Sequence, residues 1–152
     1  MGWGAPVTRA SSGLDFELLL VDGNNLLHRT HGSVGPGAQR ALFVQLRAAL
    51  PGVRKIVVFD GHRETHQGPV ERPAGGLEVR YAGGAADDAL VRLIGEVPWQ
   101  RRGWTVLVTD DRALADRART AGARTQRLDW LVEMLGRPGR RTAGGSLGRR
   151  QP

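Results

Sequence analysis

Short apolar runs of strand character alternate along the chain with stretches whose apolar residues fall at helical spacing. The runs are Phe16 to Val21 (F-E-L-L-L-V), Ile56 to Phe59, and Trp104 to Thr109. Between them, Leu42, Leu46, Ala49 and Leu50 predict a helix over Ala38 to Leu50, stopped by Pro51-Gly52, and Leu26 to Thr30 predicts a short helical turn. Leu90, Ile94 and Val97 mark a helix entered at Ala86, and Leu114, Ala118 and Ala121 mark another over Arg112 to Ala121, ended by Gly122. Leu131, Val132 and Leu135 mark the last, with Asp129 as its expected cap. Leu77 to Ala82 alternates like an edge strand, and Arg124 to Leu128 supplies a final short one. Strands alternating with helices predict an α/β fold: three layers, with a central, mostly parallel sheet of about five strands flanked by helices.

The strand ends carry the candidate chemistry. Val21 runs into Asp22-Gly23-Asn24-Asn25, Phe59 into Asp60-Gly61, and Thr109 into Asp110-Asp111. Ligands of parallel sheets bind at the carboxyl ends of the strands, so these acids would surround one cleft. The helix entered at Ala86 brings Asp87 or Asp88 to the same edge. An acid in a first helical turn suits the free N–H groups there, and one acid suffices for that task. Two carboxylates about 4 Å apart repel by about 4 kcal/mol at an effective dielectric near 20, and a cation relieves this. Oxygen-only ligands suit Mg²⁺ or Mn²⁺, ions that activate water against phosphodiesters. The blander reading is that each Asp closes a strand-to-helix turn.

Length and charge narrow the picture. The 152 residues suit one domain, read as 14–136, with a loose extension over 1–13 and a disordered Arg-rich tail over 137–152. The formal charge is +7, but Arg137, Arg140, Arg141, Arg149 and Arg150 lie in that tail without an acid, leaving +2 for the rest. Lys55 is the only lysine, and arginine's planar fork favours a polyanionic partner. Without cysteine the chain forms no disulfide or thiolate site. No apolar run approaches the roughly 20 residues of a membrane span, and the start lacks signal-peptide character, so a cytoplasmic protein is expected. The loop from His62 to Gly76 leaves the same edge as Asp60. Its His62 and His66 are four apart, but Arg63 stands where a zincin motif needs Glu, so a solvated loop is the plain reading, with substrate contact by His62, Arg63, His66 and Arg72 preferred to zinc as the functional one. The glycines of His31 to Gly37 match neither a Walker A loop nor a dinucleotide fingerprint.

Taken together, these motifs resemble the NYN branch of the PIN-like nucleases, and within it the YacP-like ribonuclease family. V-D-G-N-N at Val21 to Asn25 is similar to that family's V-D-G-Y-N, V-F-D-G at Val58 to Gly61 to its strand end, A-D-D at Ala86 to Asp88 to its T-A-D, and V-T-D-D-R at Val108 to Arg112 to its T-S-D. The likeness runs in order from Leu18 to Leu135; Asn24 replaces the usual tyrosine, and Gly84 stands where the family commonly has Glu. The resemblance implies a PIN-like, Rossmann-like domain and a metal-dependent endoribonuclease, a hydrolase in mRNA decay or RNA processing. Asp22, Asp87 and Asp111 correspond to its catalytic, metal-binding acids, with Asn25 beside the first. Asp60, Asp88 and Asp110 are secondary candidates for the Mg²⁺ or Mn²⁺. The expected partner is single-stranded RNA, ribosome-associated messenger included, with Arg63, Arg72, His62, His66 and Arg112 as RNA contacts. Two other classes fit the sequence: a non-catalytic RNA-binding module of the same fold, and a metal-dependent phosphatase of small phosphoesters. For the latter, Asp22-Gly23-Asn24 breaks the D-x-D nucleophile pair of one large phosphatase group.

Overall fold

The computed structural model describes residues 15–31, 36–61 and 76–136. In chain order these form β1 (Leu18–Asp22), α1 (Gly23–His31), α2 (Pro36–Ala48), β2 (Arg54–Phe59), β3 (Leu77–Tyr81), α3 (Ala86–Glu96), a 3₁₀ helix (Trp99–Trp104), β4 (Thr105–Val108), α4 (Arg112–Thr120), β5 (Arg124–Gln126) and α5 (Leu128–Leu135). The strands make one five-stranded sheet in the order β3-β2-β1-β4-β5, and every pairing is parallel. Leu77–Tyr81 is an edge strand, as its alternation predicts.

Side chains alternate across the central strands and bury on both faces. Leu19, Val21, Val57, Phe59, Val106 and Val108 pack with Leu26, Leu27, Leu42, Leu46 and Leu131, so α1, α2 and α5 cover one face. Leu18, Leu20, Ile56, Val58 and Leu107 pack with Leu90, Ile94, Leu114 and Ala118, so α3 and α4 cover the other. The result is three layers. Among the described residues no helix is long and apolar enough to cross a membrane.

Three sequence expectations need correction. The helical turn expected over Leu26 to Thr30 is a full helix that begins at Gly23, directly after the strand. A Cβ at residue 23 would lie 2.7 Å from the Phe59 ring and 2.8 Å from Val57, so glycine lets α1 start pressed against β2. Trp99–Trp104 is a 3₁₀ helix that leads into β4, which begins only at Thr105 and not at Trp104. Asp129 does not cap α5: Asp110 does, its Oδ1 accepting from the Leu128 N–H at 2.9 Å. Asp129 instead sits in the first turn and pairs with Arg29. The extension 1–13, the loop carrying His62, Arg63, His66 and Arg72, and the tail 137–152 lie outside the described residues.

Candidate metal and phosphodiester site

The strand order reverses direction of winding between β1 and β4, and crevices of open α/β sheets form at that switch point. Asp22 ends β1 there, and Asp110-Asp111 follow β4. The Asp22 carboxylate accepts from the Asn25 side-chain Nδ2 at 2.9 Å and faces the Asn25 N–H at 3.5 Å, in the manner of a helix cap. Asn25 thereby fixes the rotamer of the acid.

The neighbouring acids are placed by their own caps. Asn24 Oδ1 accepts from the Asp60 N–H at 2.8 Å, tying the end of β2 to the start of α1. Asp60 Oδ1 then accepts from the Ala86 N–H at 2.7 Å, capping α3, to which Ala85 gives no side-chain cap. That bond docks the first turn of α3, and with it Asp87, at the edge where Asp22 lies. Asp111 caps α4 through the Leu114 N–H at 3.1 Å, while its own N–H donates to Thr109 Oγ1 at 3.0 Å.

Asp22 registers the convergence electrostatically. Its carboxyl is pushed up from the ordinary 3.8 to about 6, chiefly by burial, and then by the negative charges of Asp60, Asp87 and Asp111; the Asn25 backbone N–H works in the opposite direction. Ion pairing separates the adjacent acids. Asp88 pairs with Arg117 at 2.9 Å, and Asp110 meets Arg29 at 3.4 Å and Arg127 at 3.7 Å. Among the described residues no arginine pairs with Asp22, Asp87 or Asp111. Of each adjacent pair, one acid is paired locally and the other adds its charge to that felt by Asp22.

The chemistry of these donors suits a hard divalent ion. The donors are carboxylate oxygens, and a cation would offset both the burial that chiefly makes Asp22 hold a proton and the neighbouring negative charges that add to it. Among the described residues no group of three or more histidine, aspartate or glutamate side chains is arranged to hold a metal ion. Mg²⁺ keeps several waters and needs only one or two carboxylates, so an open edge of acids suits it better than a cage.

Sequence reading missed two cleft residues. His28 and Arg29 of α1 line a cavity of about 510 Å³ with Asn25, Asp110, Asp111 and Leu128. Their signal was the spacing of three and four from Asn25, which shares a helix face with them once α1 starts at Gly23. On the other side of Asp110 and Asp111, Arg112 lines a cavity of about 720 Å³.

No protein-family model matches the chain, and no curated protein matches it. Among solved structures the chain is similar to a single-substitution mutant of Rae1 (YacP) from Bacillus subtilis, with 20% identity, a TM-score of 0.66, and coverage of 83% of this chain and 79% of that one. Rae1 (YacP) from Bacillus subtilis without that substitution gives 20% identity, a TM-score of 0.65, and coverage of 83% and 77%.

Proposed function

We propose that this chain, whose fold is of the YacP-like NYN/PIN-like type, is a metal-dependent endoribonuclease acting on single-stranded RNA. The observation that carries the reading is Asp22: a half-buried carboxylate at the switch point of the sheet, raised to about 6 by burial and by Asp60, Asp87 and Asp111, with no arginine beside it among the described residues. Asp22, Asp87 and Asp111 would hold the ion. When bound, Mg²⁺ or Mn²⁺ supplies an acidified water as nucleophile and neutralises charge developing on the phosphodiester.

The remaining work falls to the chain's own groups. Asn25 holds Asp22 in one orientation, through the 2.9 Å bond from its side-chain amide. Asp60 keeps α3 docked so that Asp87 reaches the cleft, which makes it a positioning residue in this reading. Arg112, next to Asp111 and without an ion pair among the described residues, would take a phosphate of the strand. A non-catalytic RNA-binding module is the second reading, favoured by Gly84, where the resembled family carries an acid.

Purified protein should cleave single-stranded RNA with Mg²⁺ or Mn²⁺ and stop on addition of chelator. Asp22→Asn should bind RNA without cutting it, and Glu96→Gln, at the exposed end of α3, should cut like wild type. RNA bound but left intact with every metal would establish the binding module instead.

A further inference from the structure

The cavity of about 720 Å³ beyond Asp111 lies between the start of α4 and the end of β5, and it has the size of small-molecule sites. It adjoins the smaller cavity at Asp110 and Asp111, which line both, so the cleft acids open directly into it. Three side chains of its wall offer groups to a ligand. Arg119 is held by two hydrogen bonds in its own plane, from one amino group to Thr125 Oγ1 at 2.7 Å and from the other to Asp116 Oδ1 at 2.5 Å. A guanidinium fixed at both ends presents its flat face, and such faces stack on nucleobases. Gln126 ends β5 with an exposed side chain; its amide has no partner among the described residues, although its backbone carbonyl accepts from Thr109. A side-chain amide offers a donor and an acceptor together, the pairing that base edges require. Arg112 is the third, and its charge is not spent on an acid among the described residues.

The cavity's acids are already engaged. Asp116 is held by Arg119, and Asp110 by Arg29, Arg127 and the Leu128 N–H. Asp111, at the boundary with the cleft, caps α4 but has no ion pair among the described residues.

We infer that this cavity is a nucleotide subsite, in which the base of an unpaired ribonucleotide next to the scissile bond stacks on Arg119, is read at its edge by Gln126, and sets its phosphate on Arg112. The identity of the ligand as part of an RNA strand rests on the ribonuclease reading above; the subsite itself does not. The site gives the chain a base preference at one position flanking the cut. A single extended strand reaches it from Asp111, whereas a paired base has its edge and one face already occupied.

The test is a titration of isotope-labelled, full-length chain in chelator with the four ribonucleoside 5′-monophosphates and with inorganic phosphate, following backbone amide resonances. The monophosphates should shift the amides of Arg112, Arg119 and Gln126, with one base binding at least about threefold tighter than the others. Inorganic phosphate should shift Arg112 and leave Gln126 in place. Arg119→Lys keeps the charge and loses the plane, so it should weaken all four nucleotides about tenfold without changing phosphate binding. Gln126→Ala should remove the preference among bases. Nucleotides that bind no more tightly than phosphate, shifts confined to other residues, or an Arg119→Lys variant that binds like wild type would each overturn the subsite. Nucleotide binding at these residues in a chain that cleaves no RNA would retain the subsite and refute the ribonuclease. RNA cleavage whose base preference survives Gln126→Ala would do the reverse.

Discussion

Replacing Asp22 by asparagine in the metal-free chain should stabilise it, because the cleft holds that carboxylate against its electrostatic preference. The folded chain keeps the Asp22 proton until about pH 6, whereas an ordinary aspartate releases it near 3.8. Between those values the unfolded state binds fewer protons, so stability falls as pH rises through the window and stays low above it. The difference amounts to about 3 kcal/mol at neutral pH. Asparagine removes the charge but gives up one of the two contacts with Asn25, returning about 1 kcal/mol. The net gain is then about 2 kcal/mol at pH 7.5, or a melting point about 5 °C higher for a domain of this size. Below pH 4 both side chains are neutral and the advantage should vanish. Urea unfolding in chelator from pH 4 to 8 measures both limbs. Adding Mg²⁺ at about a hundred times its dissociation constant should raise wild type by about 2.7 kcal/mol and leave the variant unchanged. A variant less stable than wild type at pH 7.5, with a parallel pH profile, would refute the raised Asp22 carboxyl.

Gly23→Ala should destabilise the chain by about 1 to 3 kcal/mol in the same assay, since the new methyl would meet Phe59 and Val57 at under 3 Å. Lys55→Ala should lose about 3 kcal/mol, because it empties the space of a buried side chain and takes away the Nζ that donates to the Ala49 carbonyl at 2.9 Å; the Leu50 carbonyl, 3.4 Å from Nζ, keeps the Val53 N–H. Gly84→Glu should fold like wild type, as nothing lies within 4 Å of a Cβ there, and should tighten Mn²⁺ binding measured by calorimetry.

The frame of the fold was legible because its signals are local. Apolar runs ending in aspartate gave all three central strands, and helical spacing gave α2 to α5 to within a few residues. The start of α1 was not legible: Asp-Gly-Asn-Asn carries turn propensity, and packing of Gly23 against Phe59 overrides it. The motifs pointed to Asp22, Asp87 and Asp111, and the last two do act on the Asp22 charge, but residue types alone left Asp87 and Asp88, or Asp110 and Asp111, interchangeable. Arg117 and Arg29, distant in sequence, decide between them by neutralising one of each pair. Lys55 reads as the exposed flank of a strand, yet it is wholly buried and ends α2. Arg102 is likewise silent in sequence, while its guanidinium donates to the carbonyls of Gly95, Val97 and Ala121 and so closes both α3 and α4. Long-range partners of this kind leave no periodic trace.

Adjacent acids in one helical turn give the most direct test of the central claim, because they share sequence context and differ only in where they face. The measurement is the single-turnover cleavage rate of a defined single-stranded RNA with Mn²⁺, for Asp87→Asn and Asp88→Asn beside wild type. Asp87, which raises the proton affinity of Asp22, should cost at least about a hundredfold when neutralised. Asp88, spent on Arg117 at 2.9 Å, should change the rate by less than about threefold. Equal losses in the two variants, or a larger loss for Asp88→Asn, would contradict a metal held by Asp22, Asp87 and Asp111.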